Sequence, residues 1–146
     1  MRLYGITMLF LVVLSACGGG GGDSQTMSGT ISDPTGAILP DPATTAQPLT
    51  LTVAAAYVGA FTPQSTVIDI PFTLTRTTGA AASYTGQVHC TQATGSPGAG
   101  SYTCTGSLEI PPQPAGSQQY CLTWNPVGNF SGTRGTACAP VTVTAP

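Results

Sequence analysis

Ile68-Asp69-Ile70-Pro71-Phe72-Thr73-Leu74-Thr75 places a large apolar side chain at every second position, with Asp, Pro or Thr between. A period of two gathers Ile68, Ile70, Phe72 and Leu74 on one face of a β-strand, whereas a helix would scatter them around its axis. Pro71 cannot donate a ladder hydrogen bond, so this strand is expected at a sheet edge or with a bulge.

Outward from this segment the same rhythm recurs. Leu49, Leu51 and Val53 alternate with Thr50 and Thr52. Tyr84, Gly86, Val88 and Cys90 alternate with Thr85, Gln87 and His89, and Tyr102, Cys104, Gly106, Leu108 and Ile110 alternate with Thr103, Thr105, Ser107 and Glu109. Gln118 to Trp124 and Ala137 to Thr144 complete six strand candidates, and no window carries an amphipathic helix of useful length. Turn signals separate them at Thr78-Gly79, Gly95 to Gly100 with Pro97, Pro111-Pro112 to Gly116, and Asn125-Pro126 to Gly135. Short strands so spaced predict an all-β domain, an antiparallel immunoglobulin-like sandwich over residues 49–146, with a small β-barrel as the rival. The Tyr, Cys and Trp order of antibody domains is missing, so pattern alone carries this expectation.

Upstream of Leu49 the composition changes. Residues 18–48 hold a glycine run, Ser24, Ser28, Ser32, Asp23, Asp33, Asp41 and Pro34, Pro40, Pro42 and Pro48. Such a stretch buries little apolar surface and reads as a tether, able to reach on the order of 100 Å when drawn out. Ser28 to Ser32 and Ala37 to Leu39 are the two places where it could add an edge strand.

The chain opens with Arg2, an apolar run from Ile6 to Leu14, then Ser15, Ala16, Cys17 and the glycines Gly18 to Gly22. The run is too short to span a bilayer and reads as a cleaved signal peptide over residues 1–16. Leu14-Ser15-Ala16-Cys17 resembles the lipobox of bacterial lipoproteins. The resemblance covers residues 1–22 only. It implies that Cys17 receives a diacylglyceryl thioether, becomes the new N-terminus and is acylated again. Two or three acyl chains, at about 0.8 kcal/mol per buried CH2, give lasting attachment. Gly18 departs from the aspartate that retains family members at the inner membrane, so the resemblance implies an outer-membrane destination, with membrane lipid as the first partner.

Cys90, Cys104, Cys121 and Cys138 remain, an even number that reads as two disulfides in an exported chain. There is no CxxC pair and only His89 lies nearby, so the spacing offers no metal site. Four cysteines allow three connectivities. Cys90 and Cys104 share the apolar parity of their strands, while Cys121 and Cys138 lie opposite Leu122, Trp124, Val141 and Val143. Pairing 90 with 104 and 121 with 138 therefore joins like faces, although a one-residue bulge would reverse a strand's parity.

There is no lysine, and residues 49–146 carry only Arg76, Arg134, Asp69 and Glu109. Nothing there gathers phosphates, which sets nucleic acid aside as a partner. A near-neutral surface fits either a membrane tether that keeps the domain dispersed without charge or faces occupied by neighbouring subunits, and edge strands without lysine favour the second. His89 is the sole histidine and no nucleophile elbow accompanies it; Asp69 and Glu109 show no spacing that suggests a glycosidase pair. No catalytic residue and no cofactor site is expected.

Trp124 shares parity with Tyr120 and Leu122, which suits a core position, yet it borders the long loop from Asn125 to Gly135. With Phe130 and Arg134 it is a candidate for partner contact. Asn129-Phe130-Ser131 matches a glycosylation sequon that has no evident use in a bacterial lipoprotein. The first functional expectation is a lipid-anchored structural or adaptor subunit of a bacterial envelope assembly, bound to an envelope protein. The alternatives are a carbohydrate- or peptide-binding module, which calls for a concave face and an aromatic patch near Trp124, and, behind it, a small hydrolase.

Overall fold

Threonine-rich alternating segments favour strands because branched side chains pack well on a pleated surface. The computed structural model describes residues 24–146, all of whose regular elements are strands. The lipobox and Cys17 lie outside the described residues. The strands are β1 (Thr26–Ile31), β2 (Thr35–Leu39), β3 (Ala43–Thr44), β4 (Leu49–Thr62), β5 (Val67–Arg76), β6 (Ala82–Ser96), β7 (Ala99–Ile110), β8 (Gly116–Trp124), β9 (Asn129–Arg134) and β10 (Thr136–Thr144).

They do not form the expected sandwich. One continuous sheet runs β3-β10-β8-β5-β6-β7-β4-β1-β9, with β2 also on β4, and it curls into an open half-barrel. Two facing sheets would need a break in hydrogen bonding. Here β6 borders β5 over Ala82 to Thr91 and β7 over His89 to Ser96, so pairing passes around the bend without one. The rival barrel is not reached either, since the path ends at β3 and β9. β9 lies parallel to β1 and β10 antiparallel to β8, and only Gly135 separates the two in the chain.

Glycine explains the sharpness of the curl. Gly132, Gly29, Gly59, Gly100 and Gly95 are successive cross-strand neighbours on β9, β1, β4, β7 and β6. The row faces inward, between Tyr57 and Phe61 on β4 and between Met27 and Ile31 on β1. A row without Cβ atoms lets a sheet crease. Gly29 and Gly100 have φ of +133° and +148°, which other residues rarely adopt, and a Cβ on Gly29 would overlap the Val58 carbonyl oxygen. The Tyr57 hydroxyl closes over the row, 2.9 Å from the Ser28 carbonyl and 2.6 Å from that of Ala60.

The concave face holds the core: Ile70, Phe72, Val88, Tyr102, Ile110, Leu49 and Trp124 are all buried. Phe72 stands edge-on to Trp124 at 6.0 Å between centroids, and its ring occupies the space above its cross-strand neighbour Gly86. Cys90–Cys104 lies within this core and Cys121–Cys138 on the outer face. The β6–β7 bulge falls at Gln92 to Thr94, beyond Cys90, and so leaves the parity of that bridge intact.

The boundary at residue 49 moves. β1, β2 and β3 all fall within the stretch 17–48 read as tether, and the folded unit takes in residues 26–44. Met27, Ile31, Ile38 and Ala43 are buried and supply the anchorage that the polar composition conceals. Pro71 resolves differently from either expectation. β5 lies between β8 and β6, but β8 pairs only with Phe72 to Arg76, so the missing N–H faces a side without a strand.

Candidate binding site

The early end of β8 leaves one flank of β5 open from Val67 to Pro71. Past Trp124 the chain swings away after two ties from Asn125, its N–H to the Pro71 carbonyl at 2.8 Å and its Nδ2 to the Thr73 hydroxyl at 2.6 Å. Between the open flank and the returning chain lies a bowl of about 500 Å³, lined by Gln25, Phe61, Pro63, Gln64, Ser65, Val67, Ile68, Asp69 and Val127. That volume suits a small ligand or a few residues of a peptide.

Its wall is held from several sides. The Ser65 carbonyl accepts from the Tyr102 hydroxyl at 2.8 Å and from Gly98 N–H at 3.1 Å, and the Thr66 carbonyl accepts from Gln92 N–H at 2.8 Å. Asn129 N–H donates to the Gln25 carbonyl at 3.0 Å, which fixes the opposite rim. Ser65 Oγ takes the Val67 N–H at 3.0 Å, so that the open flank of β5 is partly capped. By alternation the Asp69 main chain faces the same open side as Pro71. The floor is apolar, from Phe61 and Ile68, both buried.

Charge in the bowl comes from Asp69. Its carboxylate lies 2.8 Å from His89 Nδ1, both side chains at least half exposed, so the pair contributes little to stability. The glutamine and serine groups offer neutral donors and acceptors around it.

A second cavity lies in the seam between β2 and β10. It measures about 60 Å³ and is walled mainly by apolar groups, among them Ile38, Leu51, Val53, Leu122, Ala137 and Ala139. The free edge of β10 above it is blunted. Asp33 Oδ1 accepts from Thr136 N–H at 3.1 Å, Asp41 Oδ1 accepts from Thr142 N–H at 2.9 Å, and Pro140 has no N–H to offer. These carboxylates and the proline do the work of edge protection that lysine does elsewhere.

At the far end of the sheet Arg76 is only 7% exposed and has no carboxylate partner among the described residues. Its Nε donates to the Ala80 carbonyl at 3.0 Å and an Nη to Gln113 Oε1 at 2.5 Å. Gln113 in turn donates to the Tyr84 hydroxyl at 2.9 Å. The Tyr120 hydroxyl nearby is buried and has no hydrogen-bond partner among the described residues. Burial pushes that phenol above its ordinary range, Tyr84 adds to the shift, and Arg76 opposes it.

Of the residues singled out from sequence, Trp124, Phe130 and Arg134 come together, whereas Asp69 and Glu109 stand apart. Trp124 is 2% exposed and donates its indole N–H to the Ser32 carbonyl at 3.2 Å, which makes it a core residue. Phe130 packs against the core and Arg134 sits over its ring at 5.2 Å, with Nη1 donating to the Trp124 carbonyl at 3.3 Å. Asp69 and Glu109 are two strands apart laterally and four residues apart in level, about 16 Å in all, beyond the separation of paired glycosidase carboxylates. No group of three potential metal ligands occurs among the described residues. Sequence reasoning missed Gln25, Phe61, Gln64 and Ser65. The only signal was the break Pro63-Gln64-Ser65 between two strand patterns.

No family model matches the chain, and none of the curated proteins matches it in sequence.

Proposed function

We propose that the protein is a peptide-binding module whose ligand lies extended in the bowl beside β5. The observation that carries this reading is the flank of β5 from Val67 to Pro71, which has no strand beside it among the described residues and borders a braced cavity of about 500 Å³. An extended segment can pair with the Asp69 main chain, rest an apolar side chain on Phe61 and Ile68, and meet the Asp69 carboxylate with a donor. Carbohydrate is the weaker form of the same reading, because sugar recognition uses exposed aromatic faces and Trp124 is buried. The adaptor role loses support from the blunted edge of β10, where a partner strand finds few free groups.

The lipobox resemblance belongs to this proposal as its setting: acylated Cys17 holds the module at the outer membrane. Gln25 lies eight positions after Cys17 and lines the bowl, so an extended chain sets the bowl within about 30 Å of the bilayer.

The test is selection of ligands for the intact protein in detergent, from a random peptide library and from a glycan array in parallel. Peptides are expected to be retained, with Asp69→Ala weakening them about tenfold or more, the loss of one hydrogen bond to a charged group. Val127→Trp, which fills the rim, should abolish retention. Retention of glycans alone, or peptide binding indifferent to both substitutions, overturns the proposal.

A further inference from the structure

The two disulfides have similar loops and opposite surroundings. Cys90–Cys104 closes a separation of 14 residues and both cysteines have no exposure at all. Cys121–Cys138 closes 17 residues on the convex face, with Cys138 exposed and Cys121 half-buried. Cys138 also belongs to β10, whose far edge faces the seam rather than another strand over most of its length, and it lines the mouth of the apolar seam cavity. On the β8 side the neighbours of the bridge are neutral: Thr75 lies opposite Cys121 on β5, and Thr123 two positions along. Along β10 the nearest charge is the Asp33 carboxylate, already accepting from Thr136 N–H at 3.1 Å.

We propose that Cys121–Cys138 is a thiol–disulfide exchange site for a dithiol reductant, and that Cys90–Cys104 is a closed structural bridge. Exchange requires a thiolate to reach one sulfur in line with the bond, and access selects which sulfur it reaches. Exposure directs attack to Cys138 Sγ. A new bond forms between the reductant sulfur and Cys138, the bond to Cys121 breaks, and the electron pair leaves on the Cys121 sulfur, which takes up a proton. The reductant's second thiolate then attacks its own bridging sulfur. The reductant departs as a disulfide, two electrons lighter, and Cys138 leaves as a thiol. The ladder of β10 with β8 and the Asp33 and Asp41 contacts remain to hold the strand in place.

The intact protein is incubated with dithiothreitol under native conditions, quenched with an alkylating agent at intervals, and the label is located peptide by peptide. Trp124 fluorescence is followed in parallel as the reporter of the core. Cys121 and Cys138 are expected to label at least about a hundredfold faster than Cys90 and Cys104, since the buried pair reacts only from opened molecules. Fluorescence should stay constant while they do. With a monothiol such as glutathione, the trapped mixed disulfide should sit on Cys138. Equal labelling rates, earlier labelling of the buried pair, a fluorescence change that keeps step with labelling of Cys121 and Cys138, or a mixed disulfide on Cys121 each overturn the proposal.

Discussion

Removing each bridge in turn separates chain entropy from packing. The loops of Cys90–Cys104 and Cys121–Cys138, with separations of 14 and 17 residues, are close enough in length that their closure terms, near 3 kcal/mol each, differ by only about 0.2 kcal/mol. What differs is the environment. Cys90 and Cys104 are fully buried, so replacing both by alanine also empties the space of two sulfur atoms in the concave core. Each vacated atom costs about 1 kcal/mol in lost transfer and packing. Cys121 and Cys138 stand on the outer face, and their truncation leaves no such void. The double variant C121A/C138A should therefore lose about 3 kcal/mol and C90A/C104A about 5. Urea unfolding at neutral pH, followed by Trp124 fluorescence, measures both. Equal losses, or a larger loss at the outer bridge, would refute the reasoning that burial sets the two apart.

Gly29→Ala should cost at least about 2 kcal/mol, because the positive φ and the overlap with Val58 act together, whereas Gly79→Ala, with φ of +66° and open space around it, should cost only about 1; urea midpoints compare them. Tyr120→Phe should leave stability at neutral pH unchanged or raise it by about 1 kcal/mol, as it removes a buried hydroxyl without a partner. The folded state holds the Tyr120 proton more tightly than the unfolded chain. Stability from this source is therefore complete below the ordinary phenol value of 10.0 and is lost as pH rises from there through the raised folded value. The wild type should consequently lose more stability than Tyr120→Phe between pH 9 and 11 on an alkaline denaturation series, whereas parallel curves would count against it.

The run from Ile68 to Leu74 announces its strand and its inward face because alternation is a local property, and the structure buries all four apolar residues. The parity of Cys121 and Cys138 was legible for the same reason. Sheet count was not. A sandwich and a curled sheet both bury one face of every strand, and the choice between them rests on register, here on the alignment of glycines from five strands that lie up to about a hundred positions apart. Gly29 and Gly132 look like ordinary loop residues until they are paired. The bowl was hidden likewise, since it arises where β8 stops short of β5, a matter of strand length rather than composition. Residues 26–44 were obscured by their prolines and serines, four well-placed apolar anchors being too sparse to form a pattern.

The parallel union of β1 with β9 has a kinetic consequence. Asp33 and Thr136, whose contact closes that region, are 103 residues apart in the chain. β1 can pair with β4 once residues 57–62 are present, but its other flank waits for β9 at residues 129–134. Long-range pairing of this kind slows folding and leaves strand edges uncovered in partly folded chains. A sheet so arranged stays open along that flank of β1, and locks only when β9 comes to lie beside it.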